Sequence, residues 1–236
     1  MSSAPGMRPD VVAFDVVGTL FSLDPVAARL EEVGLSSGAI DEWFARFLRD
    51  AFALDATGRY ASFRDIAGGT LEVMLVEKTG QAAPSTISRV LEVFRELPPH
   101  LDVRPALERL NQSRIPVVAL TNGAATTTKQ LLRRAGLDTF MERIISIVDV
   151  QCWKPRRDVY LYAAHVMGLP PARLALVAAH AWDIAGANAA GLVTGWVSRK
   201  EKVFHRAMGA PAVSGATLVE VVDALMSLPA AGPAAQ

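Results

Sequence analysis

The chain has 236 residues, 51% of them apolar, with 24 basic and 24 acidic side chains and no formal net charge. That length suits one large or two modest cores, and the balanced charge, with no basic stripe or Lys/Arg block, argues against a nucleic-acid or anionic-membrane surface. The single cysteine, Cys152, excludes an internal disulfide and any cysteine-based zinc site. No run approaches the ~18 apolar residues of a membrane span, so a cytoplasmic location without membrane attachment is expected.

In chain order, Met1 to Pro9 lacks a long apolar stretch and reads as a loose tail. Val11 to Asp15 is a short apolar run stopped by a Gly turn, which predicts a buried strand. Asp24 before Pro25 reads as a helix N-cap, and Gly34 as the stop of that helix. From Ala39 to about Phe94 the apolar spacing is helical, through Trp43, Phe44, Phe47, Leu48, Leu71, Leu75, Val90 and Leu91, with Gly58, Gly68-Gly69 and Gly80 as breaks. Leu97-Pro98-Pro99 is the return hinge.

Beyond the hinge, strands and helices alternate. Strands are predicted at Val117 to Leu120, Ile144 to Ile147, Leu174 to Ala178 and Val193 to Val197. Helices are predicted at Pro105 to Asn111, Ala125 to Ala135, Asp158 to Met167, Asp183 to Ala190 and Leu218 to Leu228, followed by a loose Ala/Pro/Gly tail. Short buried strands alternating with helices predict an α/β protein, a doubly wound parallel sheet with helices on both faces. The expected division is a core of residues 8–21 and 99–228, and a helical cap of 22–98 inserted after the first strand.

Four predicted strand ends carry polar groups. Phe14-Asp15-Val16-Val17-Gly18-Thr19-Leu20 puts a carboxylate at the end of the first strand, where ligands bind in open α/β sheets. A carboxylate there can act as a nucleophile and form an ester. Thr121-Asn122-Gly123 follows the second strand, Trp153-Lys154-Pro155 the third, and His180-Ala181-Trp182-Asp183 the fourth. Cys152 lacks a His or Asn partner nearby, His100 and His205 lack metal-ligand spacing, and Gly68-Gly69 lacks the context of a phosphate loop.

Together these four motifs resemble the haloacid dehalogenase superfamily along nearly the whole chain. Within it, Leu120-Thr121-Asn122-Gly123, Trp153-Lys154-Pro155 with Tyr160 beyond, Ala181-Trp182-Asp183, Phe44 to Leu48 and Gly58-Arg59-Tyr60 are similar to the 2-haloacid dehalogenase branch. The resemblance implies Asp15 as nucleophile, steadied by Thr19, with the Lys154 cation keeping it ionised and attracting an anionic substrate. It implies Thr121 and the backbone N–H groups around Val16 and Val17 as the carboxylate seat. Asn122 and a cap arginine, Arg46 or Arg49, would receive the halide, and Tyr160 would buttress the site. Asp183 would position Lys154 or water. His180 stands where the best-known relatives carry Asn, and reads equally as general base or structural hydrogen-bonder. Trp182 and Phe21 read as core aromatics or pocket walls.

Val17 separates the chemistries. Phosphatases of the superfamily carry there a second Asp that protonates the leaving alkoxide, help typically worth about 10²–10⁴-fold. A halide leaves unprotonated, so the expected reaction is hydrolysis of short 2-haloalkanoic acids through an ester on Asp15. No metal or cofactor is expected for it. Magnesium belongs only to the alternative of a phosphatase; a third reading is a catalytically weak member acting by binding. The family's frequent homodimers make a homodimer the expected state.

Overall fold

The computed structural model describes residues 6–230. Six parallel strands form one sheet: β1 (Val11–Phe14), β2 (Val117–Thr121), β3 (Met141–Ser146), β4 (Leu174–Ala178), β5 (Val193–Val197) and β6 (Val213–Gly215), in the order β3-β2-β1-β4-β5-β6. Every residue of β1, β2, β4 and β5 is buried, as expected where helices cover both faces of a parallel sheet. The α/β fold class follows as expected.

The order makes β1 central. Phe14 registers with Ala119 of β2 on one side and Val177 of β4 on the other. The chain winds outward to β3 and then returns to β4, so the switch point lies between the carboxyl ends of β1 and β4. Asp15 follows directly from one of those ends, and Ala179-His180 from the other.

Between β1 and the rest of the sheet run α1 (Asp24–Glu32), α2 (Ala39–Ala56), α3 (Phe63–Thr79) and α4 (Pro84–Glu92), with a 3₁₀ turn at Val93–Arg95. These helices pack on one another through aromatics. Ring centroids are 5.8 Å apart for Trp43–Phe94, 5.1 Å for Phe47–Phe63 and 4.9 Å for Phe63–Phe94. The remaining helices are α5 (Val103–Gln112), α6 (Ala125–Arg134), α7 (Arg157–Val166), α8 (Ala181–Ala190) and α9 (Leu218–Met226).

Several expectations change. Gly68 and Gly69 lie inside α3 rather than breaking it, with Gly68 facing Leu91 and Ile87 of α4. Asp24 is the first helical residue of α1 rather than its cap; its own N–H donates to Ser22 Oγ at 3.1 Å. The third strand begins earlier, at Met141, and its half-exposed start carries Glu142 and Arg143, which suits an edge strand. The short edge strand β6 was not expected; three residues hold too little pattern to read. Of the two tails expected to be loose, residues 1–5 and 231–236 lie outside the described residues. The rest of the first is held: the Arg8 N–H donates to Pro229 O at 2.9 Å and Pro9 is buried. Among the described residues, no helix is long and apolar enough to cross a membrane.

Candidate active site

The loop after β1 turns back through Gly18, at φ +84°, a conformation that strains any residue with a Cβ. A Cβ there would also come within 2.8 Å of His180 Cε1, so glycine serves both the turn and the approach of the histidine. The turn brings the Thr19 hydroxyl back to donate to Asp15 Oδ2 at 2.7 Å while accepting the Ala179 N–H at 2.9 Å. Arg199, paired with Asp102, donates to Thr19 O and pins the loop from behind.

Lys154 is the hub. Its side chain is fully buried, and Nζ donates to Asp15 Oδ1 at 2.8 Å, Asp183 Oδ2 at 2.7 Å and Leu120 O at 3.1 Å. The Tyr160 hydroxyl donates to the second Asp183 oxygen, Oδ1, at 2.6 Å. Gly186 makes that approach possible, since a Cβ there would lie 2.6 Å from the Tyr160 Oη and 2.4 Å from Pro155 O. The loop carrying Lys154 is tied to the helical insert: the Trp153 N–H donates to Asp55 Oδ1 at 2.9 Å and its indole to Ala61 O at 3.1 Å.

Burial opposes the ionised form of Asp15, but the Lys154 cation and the nearby His180 outweigh it and hold the carboxyl well below its ordinary range. Burial works against the charged form of Lys154 too, yet the two carboxylates push its pKa up, so it remains an ammonium. In Asp183, burial and the Asp15 charge raise the pKa against the pull of Lys154 and Tyr160. Burial and Asp183 push the Tyr160 phenol well up, keeping it a donor. His180 Nδ1 is buried, lies 3.4 Å from Asp15 Oδ2 and has no hydrogen-bond partner. Its ring lies between Phe44 and Trp182, with centroids at 5.6 and 5.3 Å.

Asp15 opens on a cavity of about 310 Å³ beneath the helical insert. Phe44, Phe47, Phe63 and Phe94 supply its apolar wall; Val17, Thr121, Asn122, His180 and Trp182 line it beside Asp15. Thr121 Oγ1 accepts the Gly123 N–H at 2.9 Å, and Asn122 Oδ1 accepts the Lys154 N–H at 3.1 Å, leaving the Asn122 amide NH₂ unengaged among the described residues. Neither caps α6, whose N-cap position is Ala124.

Asp15, Thr19, Lys154, Asp183, His180, Val17, Thr121 and Asn122 thus gather at one sheet edge. The cap arginines are not among them. Arg46 does not line the cavity; it bonds Glu77 at 2.7 Å and Glu42 at 2.6 Å across the surface of α2 and α3. Arg49, paired with Asp50, is exposed and does not replace it. The Val16 side chain points into the core, so that only its backbone is left to the loop, and Tyr160 does not line the cavity but is buried behind Asp183, where it braces that carboxylate. Phe21 is core, and Asp183 is the third residue of α8, not its cap. The arginines that do line the cavity, Arg64 and Arg95, flank Glu92 at 3.2 and 2.9 Å. They come from α3 and the 3₁₀ turn after α4, and no spacing in the sequence ties them to Asp15.

Lys154 also decides how the site fits a divalent cation, which phosphatases of this fold hold between two such carboxylates. Its ammonium bridges the two carboxylates, taking up Asp15 Oδ1 and Asp183 Oδ2. Among the described residues no cluster of three His, Cys, Asp or Glu side chains suits a metal. Cys152 is buried, with its thiol pushed up by burial, and does not line the cavity. His205 Nδ1 accepts the Ala207 N–H at 3.2 Å as a local cap.

The family model for haloacid dehalogenase-like hydrolases matches residues 9–191. The chain is similar to (S)-2-haloacid dehalogenase H-109 of Pseudomonas putida, 30% identical over 224 residues that cover 93% of this chain and all of the relative. It is also similar to haloacetate dehalogenase H-2 of a Moraxella species, 25% identical over 221 residues that cover 93% of this chain and 97% of that one. Among solved structures, the L-2-haloacid dehalogenase of Xanthobacter autotrophicus with chloropropionic acid covalently bound shares the fold. It superposes with a TM-score of 0.83 at 22% identity, over 93% of this chain and 99% of that one.

Proposed function

Since the chain belongs to the haloacid dehalogenase-like hydrolases, we propose that it hydrolyses short 2-haloalkanoic acids to 2-hydroxy acids through an ester on Asp15. The observation that carries this reading is an ionised Asp15, opening on an apolar cavity, with Val17 beside it and no carboxylic acid facing the leaving group. Such a site stabilises an anionic nucleophile in a dry setting and supplies no carboxyl proton, a combination that suits a halide and not an alkoxide.

In the first step an Asp15 oxygen attacks C2, and the carbon–halogen bond breaks with its electron pair on the halide. Displacement inverts the carbon, so an (S)-halide yields an (R)-hydroxy acid. The Asn122 NH₂ group is placed to receive the halide, and the Thr121 hydroxyl and the loop N–H groups to receive the substrate carboxylate. Lys154 holds Asp15 in position and is not available to the substrate. Residues 22–98 act as the lid that excludes water during displacement.

Halide release from 2-chloropropionate and 2-bromopropionate, followed by ion chromatography with and without chelator, tests the reading. Release of one halide enantioselectively and without added metal is expected. Hydrolysis of p-nitrophenyl phosphate that requires magnesium, with no halide released, would refute it.

A further inference from the structure

The ester on Asp15 must be hydrolysed, and the polar groups packed round Asp15 are occupied. Asp183 is fully buried and lines neither large cavity, and its two oxygens accept from Lys154 Nζ and the Tyr160 hydroxyl. Lys154 is fully buried, and Nζ is directed at three acceptors, Asp15, Asp183 and Leu120 O. The Thr19 hydroxyl donates to Asp15 and accepts from Ala179. Each of these groups is already held by protein partners.

His180 differs: its Nδ1, buried in this structure, is unpartnered and 3.4 Å from Asp15 Oδ2. The other edge of the ring, Cε1 and Nε2, lies against Gly18. Gly18 lines a second cavity of about 710 Å³, whose wall carries Asp24, His100, Arg199, Lys200 and Glu201. Phe44, Leu48, His180 and Trp182 line both cavities and form the partition between them. Within that partition His180 is the one group able to take up and release a proton.

Resting on the reading of Asp15 as the ester-forming nucleophile, we infer that His180 is the base of the hydrolytic step, and that the second, polar cavity is its outlet for protons. A water oxygen bonds to Asp15 Cγ while one water proton passes to Nδ1. The tetrahedral adduct collapses, the Cγ–O bond to the substrate oxygen breaks, and that oxygen takes the proton back from His180 to give the hydroxy acid. Asp15 is left protonated; as its ionised form is strongly favoured, it returns the remaining proton to His180, which discharges to water in the second cavity. The balance is ester plus water giving carboxylate, hydroxy acid and one proton.

His180→Gln keeps polarity and size but cannot accept a proton. In rapid-quench mixing with 2-chloropropionate, this variant should release one equivalent of halide per enzyme and then stall. Steady-state turnover should fall at least about 100-fold, within the span of general acid–base help, and intact mass should show a single adduct on Asp15. His180→Ala should behave alike and regain turnover with added imidazole, which a merely structural role would not allow; thermal melts of both check folding. Wild-type turnover in folded His180→Gln, or accumulation of the adduct in Asp183→Asn but not in His180→Gln, would overturn the assignment. Wild-type enzyme that releases no halide would instead bring down the ester-forming reading and this inference together.

Discussion

The floor and the roof of the cavity are built on opposite principles. The floor is a dry ionic cluster at strand ends, in which Asp15, Lys154, Asp183 and Tyr160 satisfy one another within 2.6 to 2.8 Å. The roof is a set of edge-to-face aromatics from α2, α3 and the turn after α4, with Arg64 and Arg95 as its charged lining. The floor is intolerant, because removing any partner strands a buried charge. The roof can be reshaped by one ring at a time. Reaction type therefore belongs to the sheet, and the choice of substrate to the insert.

The largest effect expected from breaking this contrast is at the hub. Lys154→Met would leave two carboxylates facing each other without a cation, costing about 3–5 kcal/mol and abolishing turnover; chemical denaturation and a halide assay measure both. A variant as stable as the parent would contradict the picture of the floor. Gly186→Ala should follow, at about 1–3 kcal/mol for overpacking, with turnover falling as Tyr160 is pushed off Asp183; a crystal structure of the variant would show the separation.

Acid stability sharpens the comparison further. The Asp15 pKa is depressed in the folded protein, so its contribution is complete above its unfolded value of about 4 and is lost as the pH falls below that. Asp183, with its pKa raised, acts in the opposite sense and favours the folded state at lower pH. The urea midpoint of the parent should therefore fall more steeply below about pH 4 than that of Asp15→Asn; parallel curves would mean that Asp15 is not held ionised by its neighbours. The smallest effect is expected at Arg46→Ala. Its partners are surface glutamates, so KM for a haloacid should stay within about twofold, as expected of an exposed ion pair.

The floor was legible in the sequence and the roof was not, for a physical reason. Asp15, Thr121 and His180 each lie at or directly beyond the end of an apolar run, and a parallel sheet brings all such ends to one edge. Lys154, 139 positions from Asp15 and a loop beyond the end of β3, was assigned to the same site by the family resemblance. Arg46 was misplaced because helical spacing fixes which residues share a face but not which way that face points. Arg64, Arg95 and Phe94 reach the cavity only through the packing of α3 on α4, where Gly68 was misread as a break. Tyr160 was assigned to the cluster as a buttress; that it sits behind Asp183 is a matter of depth, which periodicity does not encode.

The central claim, that Asp15 bonds covalently to the substrate, is tested most directly by one turnover with excess enzyme in heavy-oxygen water. Mass spectrometry of the peptide containing Asp15 should find the heavy atom in the aspartate and the ordinary oxygen in the hydroxy acid. Heavy oxygen in the hydroxy acid, with Asp15 unlabelled, would mean that water attacks the substrate carbon itself and that the account is wrong.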